Sequence, residues 1–86
     1  MKLIWTNGCY DIVHIGHIKL FQYAKSLGDK LIVGIDSDNR VKSLKGNSRP
    51  INIQENRKLF LESIKYIDQV VIFDSHEQLT GYIKKF

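Results

Sequence analysis

Residues 31–35 read Leu31-Ile32-Val33-Gly34-Ile35, LIVGI, an apolar run without a polar interruption. A strand with one wet face alternates apolar and polar side chains. A continuous run has no wet face, so it belongs to a strand covered on both sides, as in a parallel sheet. The rest of the chain is read outward from this strand.

Upstream, Ile18, Leu20, Phe21, Ala24 and Leu27 follow Gly16 at a spacing that fits a helix with one buried face, and Gly28 is a natural stop. Before it, KLIWT at residues 2–6 is short, apolar and β-prone, and Asn7-Gly8 signals a turn. Downstream, the polar stretch SDNRVKSLKGNSRPIN, residues 37–52, reads as a long loop with room for one short helical turn. Asn52 and Glu55 fit an N-cap and its capping-box partner, with Ile51 as the staple. They predict a helix from about Ile53 to Tyr66 with Leu59, Phe60, Ile64 and Ile67 buried. QVVIF at residues 69–73 is a third strand, and Ser75 with Gln78 opens a last helix through Leu79, Tyr82 and Ile83. The order β-α-β-α-β-α predicts the α/β class: a Rossmann-like parallel sheet with right-handed crossovers and strand order 3-2-1.

At 86 residues the chain is expected to be one domain, 1–86, with a thin core. One cysteine, Cys9, excludes an intramolecular disulfide and fits a reducing compartment. A net charge of +4 suits an anionic ligand. The apolar start is only Leu3-Ile4-Trp5, too short for a signal peptide, and no stretch nears the roughly 20 residues of a membrane span. The expected location is cytoplasmic, with no membrane partner. Arg40, Lys42, Lys45 and Arg49 gather in one loop without aromatic interleaving, so no nucleic-acid partner is expected.

The chemistry gathers between the first strand and the first helix, in NGCYDIVHIGH, residues 7–17. His14 precedes the helix and His17 stands in its first turn, at the carboxyl end of the strand, where open α/β sheets bind ligands. Gly16 removes a side chain between them, opening the backbone to a bulky anion. Free N–H groups and the helix dipole add positive potential. Two imidazoles there form a receptor for a phosphate chain, with anions favouring their protonated form. Two histidines three apart also fit a surface pair or part of a zinc site, but Cys9 is the only thiol and no HExxH occurs.

Gly8-Cys9-Tyr10-Asp11 followed by His14-Ile15-Gly16-His17 resembles the G-x-[FY]-D-x-x-H-x-G-H signature of the cytidylyltransferase-like nucleotidyltransferases. Ser37-Asp38, Leu44-Lys45-Gly46, Arg49-Pro50, Asn56-Arg57 and Tyr66-Ile67-Asp68 extend the resemblance along nearly the whole chain. TNGCYD and LKGNSRPINIQENR are most similar to the heptose 1-phosphate adenylyltransferase type, while GHIKLFQYAKSLGD is similar to the glycerol-3-phosphate cytidylyltransferase type. The resemblance implies transfer of CMP or AMP from CTP or ATP to a phosphorylated sugar or polyol, with release of pyrophosphate and with Mg²⁺ on the triphosphate. It implies that His14 and His17 contact the triphosphate, and that Gly8, Cys9, Tyr10, Asp11 and Gly16 line the nucleotide. By the same likeness Lys45 binds phosphate, Arg57 anchors its loop or the acceptor, and Asp38 shapes the acceptor pocket. Read from the residues alone, Asp11 equally fits a turn cap, Cys9 a small buried filler, Trp5 a core residue and His76 a surface one.

The family domain usually adds two strands, one ending in glycine-aspartate, and a Ser/Thr-rich segment that meets the nucleotide. Neither motif follows Phe73, and Lys65 stands where many members carry arginine. Without a fourth strand, strand 1 is a bare edge, and bare edges recruit other chains. A homodimer is the expected assembly. The alternative is a catalytically incomplete nucleotide-binding module or fragment.

Overall fold

The computed structural model describes all of residues 1–86. Three strands, β1 (Leu3–Gly8), β2 (Lys30–Asp36) and β3 (Gln69–Phe73), form one parallel sheet in the order β1-β2-β3. The predicted strand order is the observed one. Ile4, Thr6 and Gly8 pair with Leu31, Val33 and Ile35, and Val33 and Ile35 pair with Val70 and Ile72. These residues share one face of the sheet.

Helices α1 (Ile15–Ser26) and α3 (Gln54–Glu62) cover that face. The main core joins Phe21 and Ala24 of α1 with Leu31, Val33 and Ile35 of β2, Leu61 of α3, Ile67 and Val70. Both crossovers run the same way along the sheet, so right-handedness puts both helices on one side. On the opposite face the ring of Trp5 lies across Gly34, where a Cβ would sit 2.5 Å from the indole. Trp5 then stacks on Tyr82 of α4 (His76–Lys85) and on Phe86, which follows that helix, with centroids 6.3 and 6.2 Å away. LIVGI is thus buried on both faces, as its composition requires, although Trp5 itself stays half-buried rather than core.

Four expectations are corrected. Residues 38–45 are not loop but a helix, α2 (Asp38–Lys45), capped by Ser37, whose hydroxyl accepts from the Arg40 N–H. Only Val41 of α2 is buried, so its sequence lacks the apolar stripe that marks a packed helix. In α3, Leu59 and Phe60 are exposed, while Arg57 and Leu61 are buried. Its N-cap is Ile53, without a side-chain bond, because the Asn52 amide donates instead to the Asp11 carbonyl. Gly28 also serves differently from a left-handed helix stop. Its missing side chain admits β1, since a Cβ there would lie 2.8 Å from the Lys2 carbonyl.

Candidate active site

Every strand points its carboxyl end at the same edge, and the chemistry-bearing turns lie along it. β1 runs into the turn Gly8–Asp11. Tyr10 takes a left-handed backbone, φ 50°, uncommon for a bulky residue. Its ring folds back over Gly8, where a Cβ would stand 3.2 Å away. The phenol is half-buried and its hydroxyl lies 3.4 Å from that of Thr6. Burial raises its pKa, partly offset by the Thr6 contact.

His14 is the N-cap of α1, and the two histidines close a reciprocal capping box. The Gly16 N–H donates to His14 Nδ1 at 3.0 Å, and the His14 N–H donates to His17 Nδ1 at 3.1 Å. The ring centroids are 4.1 Å apart. The space above Gly16 is filled by the His14 ring, 2.7 Å from where a Cβ would sit, so this glycine makes room for an imidazole as well as for backbone approach. The Tyr10 ring meets His17 edge-on at 5.5 Å. Desolvation, followed by the neighbouring His14, lowers the His17 pKa. Both causes favour the neutral form of the His17 ring.

A cavity of about 400 Å³ opens beside these groups, lined by Asn7, Gly8, Cys9, Tyr10, Asp11, Ile12, His17, Leu20 and Lys45. Gly8, Cys9, Tyr10, Asp11, His17 and Lys45, separated by up to 37 positions, are brought together there, with His14 against His17. Lys45 arrives at the C-terminus of α2, just before Gly46, whose φ of 102° turns the chain away. Asn7, Ile12 and Leu20 also line the cavity; Leu20, expected on the buried face of α1, is exposed instead. Asn7 and Ile12 adjoin motif residues. Leu20 lies one turn after His17, where the i, i+3 rule would have found it.

Asp38 and Arg57 stand apart from this cavity. Arg57 is 2% exposed. Its guanidinium donates to the carbonyls of Cys9, Asp36 and Asn52 and to the Asp38 carboxylate, at 2.8 to 3.0 Å. It ties the ends of β1 and β2 to the start of α3 and to α2. Asp11 works from the other side: its carboxylate accepts from the N–H groups of Ile51 and Asn52 at 2.8 and 2.7 Å and faces Arg49 at 3.5 Å. Burial alone would raise the Asp11 pKa, but the Ile51 and Asn52 N–H groups and Arg49 outweigh it and hold the carboxyl low. A second cavity of about 380 Å³ lies across Tyr10, Asp11 and Ile12 from the first, lined also by Val13, Asn52, Asn56, Arg57 and Phe60. Phe60 has this cavity, not the core, as its neighbour. Cys9 is half-buried and unpaired. No group of three or more His, Cys, Asp or Glu side chains that could hold a metal ion is present. No helix is long and apolar enough to cross a membrane.

Three comparisons bear on this geometry. The sequence profile described as cytidylyltransferase-like matches residues 5–86. The bifunctional protein HldE of Aliarcobacter butzleri (strain RM4018) is 52% identical over 73 residues, which is 85% of this chain and 15% of that protein. Bifunctional protein HldE of Campylobacter jejuni (strain RM1221) is 54% identical over 78 residues, 91% of this chain and 17% of its own length. The chain thus spans about one sixth of the curated relatives it matches. Among solved structures, the lipopolysaccharide core biosynthesis protein of Thermoplasma volcanium superposes with a TM-score of 0.80 at 25% identity, covering 95% of this chain and 66% of that one.

Proposed function

This chain belongs to the cytidylyltransferase-like family, and from that premise we propose that it moves a nucleoside monophosphate from a triphosphate to a phosphorylated sugar or polyol. The observation that carries the proposal is the convergence of His17, its partner His14 and Lys45 beside the backbone of Gly8 and Cys9. These are donors and a cation around a space large enough for a phosphate chain, with no nucleophilic side chain activated by a base. Such a set suits direct transfer between phosphates. An oxygen of the acceptor phosphate attacks the α-phosphorus, a new P–O bond forms, the bond to the bridging oxygen breaks, and pyrophosphate leaves. Charge grows on the leaving group and on the attacked phosphorus. A preorganised donor aimed at such charge contributes about 10²–10³ in rate. Mg²⁺ enters with the triphosphate as part of the substrate and shields the same charge.

Of the acceptors, the heptose 1-phosphate type is preferred, with ATP as donor. The segments most similar to that type, TNGCYD and LKGNSRPINIQENR, include the Gly8–Asp11 turn and the Ile51 and Asn52 N–H groups that bond to its Asp11 carboxylate. HldE relatives more than 50% identical across the same region favour the same branch. The cytoplasm, where the triphosphate is abundant, is the compartment proposed. β1 is an edge strand with nothing paired on its outer side, and a second copy covering it is the proposed assembly. Sedimentation equilibrium tests that point, and a monomer at high concentration removes the homodimer. The functional test is pyrophosphate release by the chain with Mg²⁺ and ATP or CTP, each paired with heptose 1-phosphate or glycerol 3-phosphate. Release with ATP and heptose 1-phosphate is expected. Nucleotide binding without release from any pair would make the chain a binding module instead.

A further inference from the structure

The reciprocal cap at the start of α1 gives the two nitrogens of each imidazole different work. A neutral imidazole carries one N–H and one bare nitrogen. A backbone N–H offers no lone pair, so the nitrogen it donates to must be the bare one. The Gly16 N–H points at His14 Nδ1 and the His14 N–H at His17 Nδ1. The ring proton is therefore on Nε2 in both residues, and neither Nε2 has a hydrogen-bond partner within the chain. We propose that this cap is a tautomer lock: it spends both Nδ1 atoms on the backbone and leaves the pair to meet an incoming anion as two Nε2–H donors with no acceptor.

Two neighbours hold the rings in this role. Gly16 lets the His14 ring lie against its backbone, and Tyr10 meets the His17 ring at 82°. The lock has a chemical consequence. With its bare nitrogen capped, neither ring takes a proton from an attacking group. The site then serves a nucleophile that arrives already ionised, such as a phosphate monoester, and not a neutral sugar hydroxyl. In what the donors meet, this deepens the nucleotidyl-transfer proposal and rests on it; in the lock itself, it does not.

The test is ¹⁵N NMR on the labelled full chain at a pH where the rings are neutral. Scalar coupling across the hydrogen bond is expected between the Gly16 amide nitrogen and His14 Nδ1, and between the His14 amide nitrogen and His17 Nδ1. His76, whose ring makes no hydrogen bond within the chain, is the control without such coupling. A proton found on Nδ1 of either ring, or the loss of either coupling, overturns the lock. Two variants separate the nitrogens. His14→Asn keeps an acceptor near the Nδ1 position and deletes Nε2, so it should hold its melting temperature within a few degrees while losing most turnover. His14→Gln does the reverse: it should melt lower and keep the larger share of turnover. The opposite ranking in turnover also overturns the lock. Couplings present with no turnover on any substrate pair would sink the transfer reading alone, while turnover with the couplings absent would sink the lock alone.

Discussion

His17 carries two loads, a cap through Nδ1 and a place in the lining of the cavity. Replacing it with alanine should therefore show in two measurements. Pyrophosphate release should fall about 10²-fold, the usual loss for a transition-state donor. Urea denaturation should register about 1 kcal/mol, the usual worth of a lost cap. Unchanged turnover would remove His17 from the reaction. The same residue sets a pH dependence. Its folded pKa is lowered by desolvation and by His14, so the unfolded chain binds the proton more readily. Stability is then full above the ordinary histidine value of about 6.5 and declines as the pH falls through it toward the lower folded value. Melting temperatures from pH 7.5 to 5 should show this slope, flattened in His17→Ala; Cys9, Tyr10, Asp11, His14 and Lys45, the titratable groups that touch the ring or share its cavity, are common to both proteins. The histidines were legible in the sequence because motif spacing exposes them. The cap was not, because which ring nitrogen faces which N–H depends on backbone geometry that spacing does not encode.

At the scale of elements, the buried stripe of α3 was misread for a single reason: a charged residue occupies it. Arg57 and Leu61 form the buried stripe, and a search for apolar periodicity skips an arginine and settles on Leu59 and Phe60 instead. A cation in the first turn, unfavourable to the helix dipole, was the one local hint that Arg57 works elsewhere. Arg57→Met should cost about 3–5 kcal/mol in chemical denaturation, because it strands the Asp38 carboxylate and three carbonyls. Arg57→Lys should rescue little, since an ammonium does not span four acceptors as a planar fork does. Helix α2 escaped notice because only Val41 is buried, yet Ser37 before it and Gly46 after it are a legible start and stop. The latch from Asp11 to Ile51 and Asn52 fixes the segment that follows Lys45. Asp11→Ala should loosen it, and tryptic cleavage after Lys45 should accelerate several-fold while the melting temperature changes less. Equal cleavage rates would show that α2 and its loop are held by other contacts.

Over the whole molecule the two faces of the sheet are covered unequally. The α1–α3 face has an eight-residue buried cluster. The other face relies on Ile32, Phe73 and the Trp5–Tyr82–Phe86 stack, and α4 contributes no fully buried residue. The five-residue run of β2 made the sheet legible because a strand between two layers leaves a strong apolar signal. How thin one layer would be was not legible, since the aromatic residues that form it are 77 and 81 positions from Trp5 and carry no pattern of their own. Local opening requires little burial to be lost, so α4 should come away before the sheet does. In native-state hydrogen exchange the amides of α4 should exchange through openings well below the global unfolding free energy, while those of Leu31 to Ile35 should exchange only with global unfolding. Trp5, the single tryptophan, supplies an optical check. Tyr82→Ala should shift its emission to the red under native conditions and bring α4 exchange forward without moving that of β2. If α4 and β2 exchange at the same free energy, the helix belongs to the one cooperative unit, and the aromatic stack is worth far more than its partial burial implies.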